Sequence, residues 1–309
     1  MNKTVRPYRH CSTIAIKAIA IALCILLFIA GLAQGLVGGA QWATDGIARS
    51  VVGLVGPSPS FCTATAIARN LILTAGHCVQ SGTDYKVQYK DINGSRKFAA
   101  IVDWERPPQF VVPETGPPTA DIALVRLANS LPDDVGVATL DLQRHPVWPG
   151  DRFIVIGGGI GLKGLHETGN NRVATLVATG PFTDLQIILI DSSGNQIGVC
   201  SGDSGSPVFQ SQTDGAKVIG VVSWAGARNK KKWAGARNNK TGCGELTGVT
   251  PLAPYHRWIE ETVRKLSGIP HNEPGTKVGR AAIRSIRKEK DRLAAASPKS
   301  RSGVWIRRL

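Results

Sequence analysis

Short apolar segments recur along most of this chain. They run over 51–55, 64–67, 71–74, 85–89, 98–104, 122–127, 153–156, 172–179, 185–190, 207–209 and 218–224. Most are rich in β-branched residues and bounded by Gly, Pro, Asn or Asp, and none carries a long helical period. About a dozen such strands without βαβ alternation predict an all-β architecture, a sandwich or a barrel. One helix is predicted after them. Pro254 opens it, Trp258, Ile259, Val263 and Leu266 fall at helical spacing, and Gly268 and Pro270 stop it.

The two ends of the chain break this pattern. Lys3, Arg6, Arg9 and Lys17 precede an apolar run, Ala18 to Leu32, and Ala33-Gln34-Gly35 follows it with small residues. Residues 1–35 therefore read as an export signal cleaved after Gly35, with an uncleaved membrane anchor as the competing reading. Both place the bulk of the chain outside the cytoplasm, secreted or periplasmic in the first case and membrane-anchored in the second. Residues 270–309 are rich in Lys, Arg, Ser and Ala, with a short basic helix expected over 281–295. Their apolar surface is too small for a core, so they read as a mobile tail.

Charge changes little once it is located. The net charge of +15 divides into +4 on the leader, +8 on residues 271–309 and +3 on the body. Within the body, residues 225–240 alone hold six basic side chains and no acid. The basicity is local and does not describe a nucleic-acid-binding fold. Those residues also contain a duplication, Trp224-Ala-Gly-Ala-Arg-Asn followed by Trp233-Ala-Gly-Ala-Arg-Asn. Nine residues are too few for a solenoid unit, so the duplication reads as the extension of one surface loop. Of the six cysteines, Cys11 and Cys24 lie in the leader. The four others, in an exported chain without CxxC spacing, favour two disulfides over a metal site.

Three stretches carry candidate chemistry. Gly202-Asp-Ser-Gly-Ser-Pro207 suits a sharp turn that exposes a hydroxyl and aims backbone N–H groups at one spot, as an acyl-transfer nucleophile requires. Thr74-Ala-Gly-His-Cys78 ends an apolar segment, and Asp121-Ile-Ala-Leu-Val-Arg-Leu127 opens another with an acid. Each stretch alone has an ordinary structural reading, as a turn, a structural histidine or a cap.

Together with Leu36-Val-Gly-Gly39 and Ser223-Trp224, these stretches resemble the trypsin/chymotrypsin family of serine proteases, in order and at compatible spacing over about 36–266. The resemblance implies a protease domain over 36–269, built as two antiparallel six-stranded β-barrels with a C-terminal helix. It implies a serine endopeptidase that uses the triad His77, Asp121 and Ser204, with an oxyanion hole from the N–H groups of Gly202 and Ser204. It also implies Cys62–Cys78 and Cys200–Cys243 disulfides, an activation ion pair between the Leu36 amine and Asp203, and a substrate pocket from Gly198, Val199, Ser223, Trp224 and Ala225. No cofactor or metal is called for, and the expected partner of this monomer is a protein or peptide substrate. Gly198 stands where trypsin has an acid, so a small or apolar P1 residue is expected rather than Lys or Arg. Thr247 or Gly248 would supply the second floor position, and Glu245 lies near enough to restore some basic preference. The alternative is a protease-fold binding or adhesion protein whose cleft is blocked by the 225–240 loop.

Overall fold

The computed structural model describes residues 36, 40–43, 46–57, 60–159, 170–183, 185–195, 197–212, 215–226 and 243–267. The leader, most of the duplicated loop and the basic tail lie outside the described residues. Among the described residues no helix is long and apolar enough to cross a membrane.

A two-residue strand, β1 (Gln41–Trp42), comes first. The first barrel then forms from β2 (Val51–Val55), β3 (Phe61–Ala68), β4 (Leu71–Thr74), β5 (Lys86–Lys90), β6 (Arg96–Glu105) and β7 (Ala123–Leu127). It closes in the order β2-β3-β4-β7-β6-β5, with antiparallel pairs throughout. Alternation along these strands sends Leu54, Ala64, Ile72, Val87 and Val125 into one buried cluster.

The second barrel uses β8 (Arg152–Gly157), β9 (Arg172–Thr183), β10 (Gln186–Ile190), β11 (Pro207–Gln212), β12 (Gly215–Gly226) and β13 (Leu246–Pro251). Its order is β9-β10-β13-β12-β11-β8, a β8–β9 ladder closes it, and β1 adds to the outside of β9. Phe153, Val155, Leu176, Leu189, Val208, Val222 and Val249 fill it. Two strands were not expected from the pattern. β1 is too short to leave a period, and β13 carries Gly248 and ends in a proline. β13 forms because β10 and β12 supply partners on both its sides.

The helix, α1, spans His256–Leu266. Pro254 opens a 3-10 turn over Ala253–Tyr255 rather than α1 itself, while Gly268 and Pro270 lie outside the described residues. Ile259 and Leu266 of α1 join Leu71, Leu73, Ile122, Leu124, Ile156, Phe209 and Val221 in a third buried cluster. That cluster draws on both barrels and glues them along a seam. At about 25 cal/mol per Å² of apolar surface removed from water, burying each large side chain there contributes about 1.5–3 kcal/mol.

Candidate active site

The first barrel brings its two candidate residues to one end of a single ladder. Thr74, the last residue of β4, pairs with Ala123, the first of β7, so His77 and Asp121 emerge side by side. A 3-10 turn over Gly76–Cys78 presents His77. Gly76 packs under the Phe110 ring, which a Cβ there would meet at 2.8 Å and push aside. Asp121 is fully buried. One carboxylate oxygen accepts the His77 backbone N–H at 2.8 Å, and the other lies 2.8 Å from His77 Nδ1 and accepts Ser223 Oγ at 2.5 Å. A buried carboxylate is tolerable only when so satisfied. Ala120, just before it, holds φ 49°, a backbone conformation that costs a non-glycine residue about 1–3 kcal/mol. Ala120 and Tyr255 are buried in the same cluster.

An ionised Asp121 can only accept, so Nδ1 of His77 carries a proton and Nε2 is left as the basic nitrogen. Burial alone disfavours the imidazolium. The charge of Asp121 and its hydrogen bond more than offset this, so the His77 pKa lies above 6.5.

The second barrel supplies the serine turn. Asp203 N–H donates to Cys200 O, Gly205 N–H to Val222 O and Ser206 N–H to Asp203 O. Among the described residues, the N–H groups of Gly202 and Ser204 have no protein acceptor. This is the pair expected to face a developing oxyanion. Gly205 holds φ 82°, and a Cβ there would approach Thr63 O and Thr74 Oγ1 to 2.2 Å, so only glycine allows the turn to lie this close to the first barrel. Thr63 ties the turn down. Its N–H donates to Ser204 O at 2.8 Å and its Oγ1 donates to Gly202 O at 2.8 Å. Cys78 Sγ, one residue beyond His77, lies 3.9 Å from Ser204 O. Ser204 Oγ makes no hydrogen bond to His77 here, and such contacts often tighten only around bound substrate.

Leu36 and Asp203 are brought together. Leu36 is buried in the second barrel's cluster, and its backbone nitrogen lies 3.0 Å from Asp203 Oδ2. Leu36 also holds a left-handed φ of 44°. The fully buried Asp203 takes further N–H groups from Cys200 at 2.9 Å and Gly159 at 2.9 Å. Burial pushes its pKa up, while these donors and the Arg172 charge pull it part of the way back.

The predicted pocket residues cluster at the end of β12. Gly198 packs on Gly244, where a Cβ would meet the Gly244 backbone at 2.9 Å. Val199 is buried with Val222 and Val249. Ser223 faces Asp121. Trp224 lays its ring on Gly248, where a Cβ would meet the indole at 1.9 Å, and its Nε1 donates to Gln186 Oε1 at 3.3 Å. Gln186 Nε2 in turn donates to Pro118 O at 2.8 Å. Thr247 pairs with Ala225 and is buried, while its neighbour Gly248 pairs with Trp224. Strand alternation therefore gives Thr247 to the Ala225 side and Gly248 to the indole. Glu245 is half-buried.

Both expected disulfides form, Cys62–Cys78 and Cys200–Cys243, with Cα–Cα separations of 6.2 and 4.6 Å. Cys62, His77 and Cys78 hold their ligand-type atoms within 4.8 Å of one another. Both sulfurs there are joined to each other, so neither is a thiolate ligand. Sequence reasoning missed Thr63, Gln186, Tyr255 and Arg172. Each acts through a partner far away in the chain, and none sits in a recognisable motif.

Comparison with known proteins agrees with this geometry. The family model described as Trypsin matches residues 37–259. Trypsin epsilon of Drosophila erecta is 23% identical over 238 residues, covering 67% of this chain and 79% of that protein. Vitamin K-dependent protein C of Oryctolagus cuniculus is 25% identical over 241 residues, covering 68% of this chain and 48% of that protein. With two closed six-stranded barrels joined along a seam and a family match over most of its length, this chain belongs to the trypsin family of serine proteases.

Proposed function

We propose that this chain is an exported serine endopeptidase that cleaves peptide bonds through an acyl-enzyme on Ser204. The observation that carries the reading is the buried Asp121 beneath His77, set at the seam next to a serine turn with two uncommitted N–H groups. His77 Nε2 takes the proton from Ser204 Oγ as the oxygen attacks the scissile carbonyl. The tetrahedral oxyanion forms against Gly202 N–H and Ser204 N–H, each worth about 10²–10³ in rate in sites of this kind. His77 then gives its proton to the leaving amine, and Asp121 stabilises the imidazolium between these steps. Water repeats the cycle in reverse order to free the acid product and Ser204.

The pocket favours a small or apolar P1 side chain. Gly198 offers no acid, and a lysine or arginine head group there would be desolvated without a partner. Thr247, buried beside Ala225, takes the floor position in this reading and makes the space shallower than a glycine would. Two disulfides suit an oxidising compartment and hence action outside the cytoplasm. Cleavage after Gly35 during export yields the mature start at Leu36. N-terminal sequencing of the active protein checks that point, and a start elsewhere overturns it.

A fluorophosphonate probe tests the central claim. The expected result is stoichiometric labelling of the wild type and none of Ser204→Ala. Absence of labelling in a folded wild type would instead make this a binding protein on a protease fold. A peptide library read with the same enzyme then reports the P1 preference.

A further inference from the structure

A cleft of about 450 Å³ lies where the end of β6 meets the last turn of α1, and its walls include Trp104, Arg106, Pro108, Phe110 and Lys265. None of these is a candidate catalytic or pocket residue. Arg106 is the unusual group there. Its guanidinium carbon stands 5.0 Å from the Trp104 ring centroid and 4.5 Å from that of Phe110. The residue is half-buried, and among the described residues its only hydrogen bond runs from Nη1 to Val79 O at 3.3 Å. A guanidinium carries five N–H donors, so most of its edge is uncommitted. Glu105, the acid of the cleft wall, does not neutralise Arg106, because it is paired with Lys265 Nζ. Aromatic rings against a guanidinium hold its plane and leave the N–H edge available, and that edge matches a carboxylate in a two-point fork. The cleft also borders the catalytic turn. Phe110 covers Gly76 and Arg106 holds Val79 O, the residues that flank His77 and Cys78.

We propose that this cleft is a second binding site, one that captures an acidic peptide segment by forking a carboxylate onto Arg106. The site goes beyond the protease reading and does not depend on it. Charge selects the ligand, since the ring-held guanidinium lacks an anion of its own and the wall's one acid is already paired. The walls select a peptide, since two aromatic rings and Pro108 offer apolar surface to the side chain next to the carboxylate. A protein that docks an acidic stretch here and presents a second stretch to the cleft at His77 gains from the raised local concentration of the second.

The test is calorimetric titration of hexaglutamate into the full chain carrying Ser204→Ala, which cannot consume the probe. Hexaglutamine and inorganic sulfate are the controls, and thermal unfolding checks that each variant folds. Hexaglutamate is expected to bind, hexaglutamine not to bind, and sulfate to bind at least about tenfold more weakly, because it lacks the packing side chain. Adding Arg106→Gln is expected to weaken hexaglutamate by about 10–100-fold, the range for hydrogen bonds to a charged group. Adding Glu105→Gln instead removes the competing acid and is expected to tighten binding several-fold, a gain that a misfolded variant cannot mimic. Hexaglutamate binding that survives Arg106→Gln unchanged overturns the proposal, because the probe then sits on other basic segments. Sulfate binding as tight as that of hexaglutamate overturns it as well, and so does weaker binding in Glu105→Gln or no hexaglutamate binding at all. The protease reading is judged separately, by fluorophosphonate labelling of the wild type, so either can fail while the other stands.

Discussion

Thr63 and Ser204 lie on different barrels, yet the Thr63 N–H donates to the Ser204 carbonyl across 2.8 Å. The same threonine reaches Gly202 O with its hydroxyl and receives the Gly158 N–H on it at 3.1 Å. The first barrel thus fixes the height of the serine turn over His77. Thr63→Val keeps the shape and the backbone bond but leaves two buried polar groups unmatched. It is expected to cost about 2–6 kcal/mol in stability by denaturant titration, because each orphaned buried group costs about 1–3 kcal/mol. Activity is expected to fall further than unfolding explains, because the Gly202 carbonyl is freed to turn into the oxyanion site.

Asp121→Asn is expected to lower kcat by about 10⁴ with little change in KM, the magnitude known for an acid-to-amide exchange in such a triad. The amide can donate to Nδ1, which favours the tautomer with its proton on Nε2 and removes the base. Single-turnover acylation reads this directly.

The raised His77 pKa sets two opposed pH dependences. On the proposed mechanism only neutral His77 acts as the base, so the acid limb of kcat/KM is expected to have its midpoint above 6.5. Stability runs the other way. The His77–Asp121 pair contributes fully below the unfolded histidine value of 6.5, and that contribution is lost as pH rises through the raised folded pKa. Thermal unfolding of wild type and His77→Gln across this window should converge on the alkaline side. A difference that does not change with pH across the window rules out His77 protonation as a source of stability.

Gln186→Leu is expected to raise KM for extended peptides several-fold while sparing small ester substrates. The indole of Trp224 loses its acceptor and Pro118 loses its donor, so the cleft wall loosens away from the reacting bond. A change in kcat on the small ester would show that Gln186 reaches the triad instead.

Removing the two disulfides separates their roles. The Cys200–Cys243 bridge closes a 43-residue separation and the Cys62–Cys78 bridge one of 16, so chain-entropy arguments give about 4 and 3 kcal/mol respectively. Paired serine substitutions at 200 and 243 are expected to lower the unfolding midpoint more and to blur P1 selectivity. Those at 62 and 78 act near His77 and should lower kcat.

The site was legible where chemistry forces a local motif. Gly205 must be glycine for the turn to approach Thr63, and Asp121 must precede a strand that pairs with β4, so both leave marks in short stretches. The fold was legible as strands wherever β-branched runs stood between breakers. β13 escaped because Gly248 and Pro251 weaken its pattern, and its order comes from β10 and β12. Arg172 and Gln186 escaped for the same reason at side-chain scale. An arginine at the head of a strand and a glutamine at the head of another announce nothing until Gly157 and Trp224 are seen opposite them.

The left-handed φ of Leu36 has one further meaning. That torsion is a rotation about the bond from N to Cα, and it is defined only while the carbonyl carbon of residue 35 is attached. Hydrolysis between 35 and 36 does not relax the angle but abolishes it, and the strain of about 1–3 kcal/mol carried by such an angle vanishes with the bond. The buried leucine side chain can stay where it is. Loss of that strain favours the cut, and the reverse step must rebuild a disfavoured torsion inside a packed core. The amino terminus behaves as a ratchet whose pawl is a single dihedral angle.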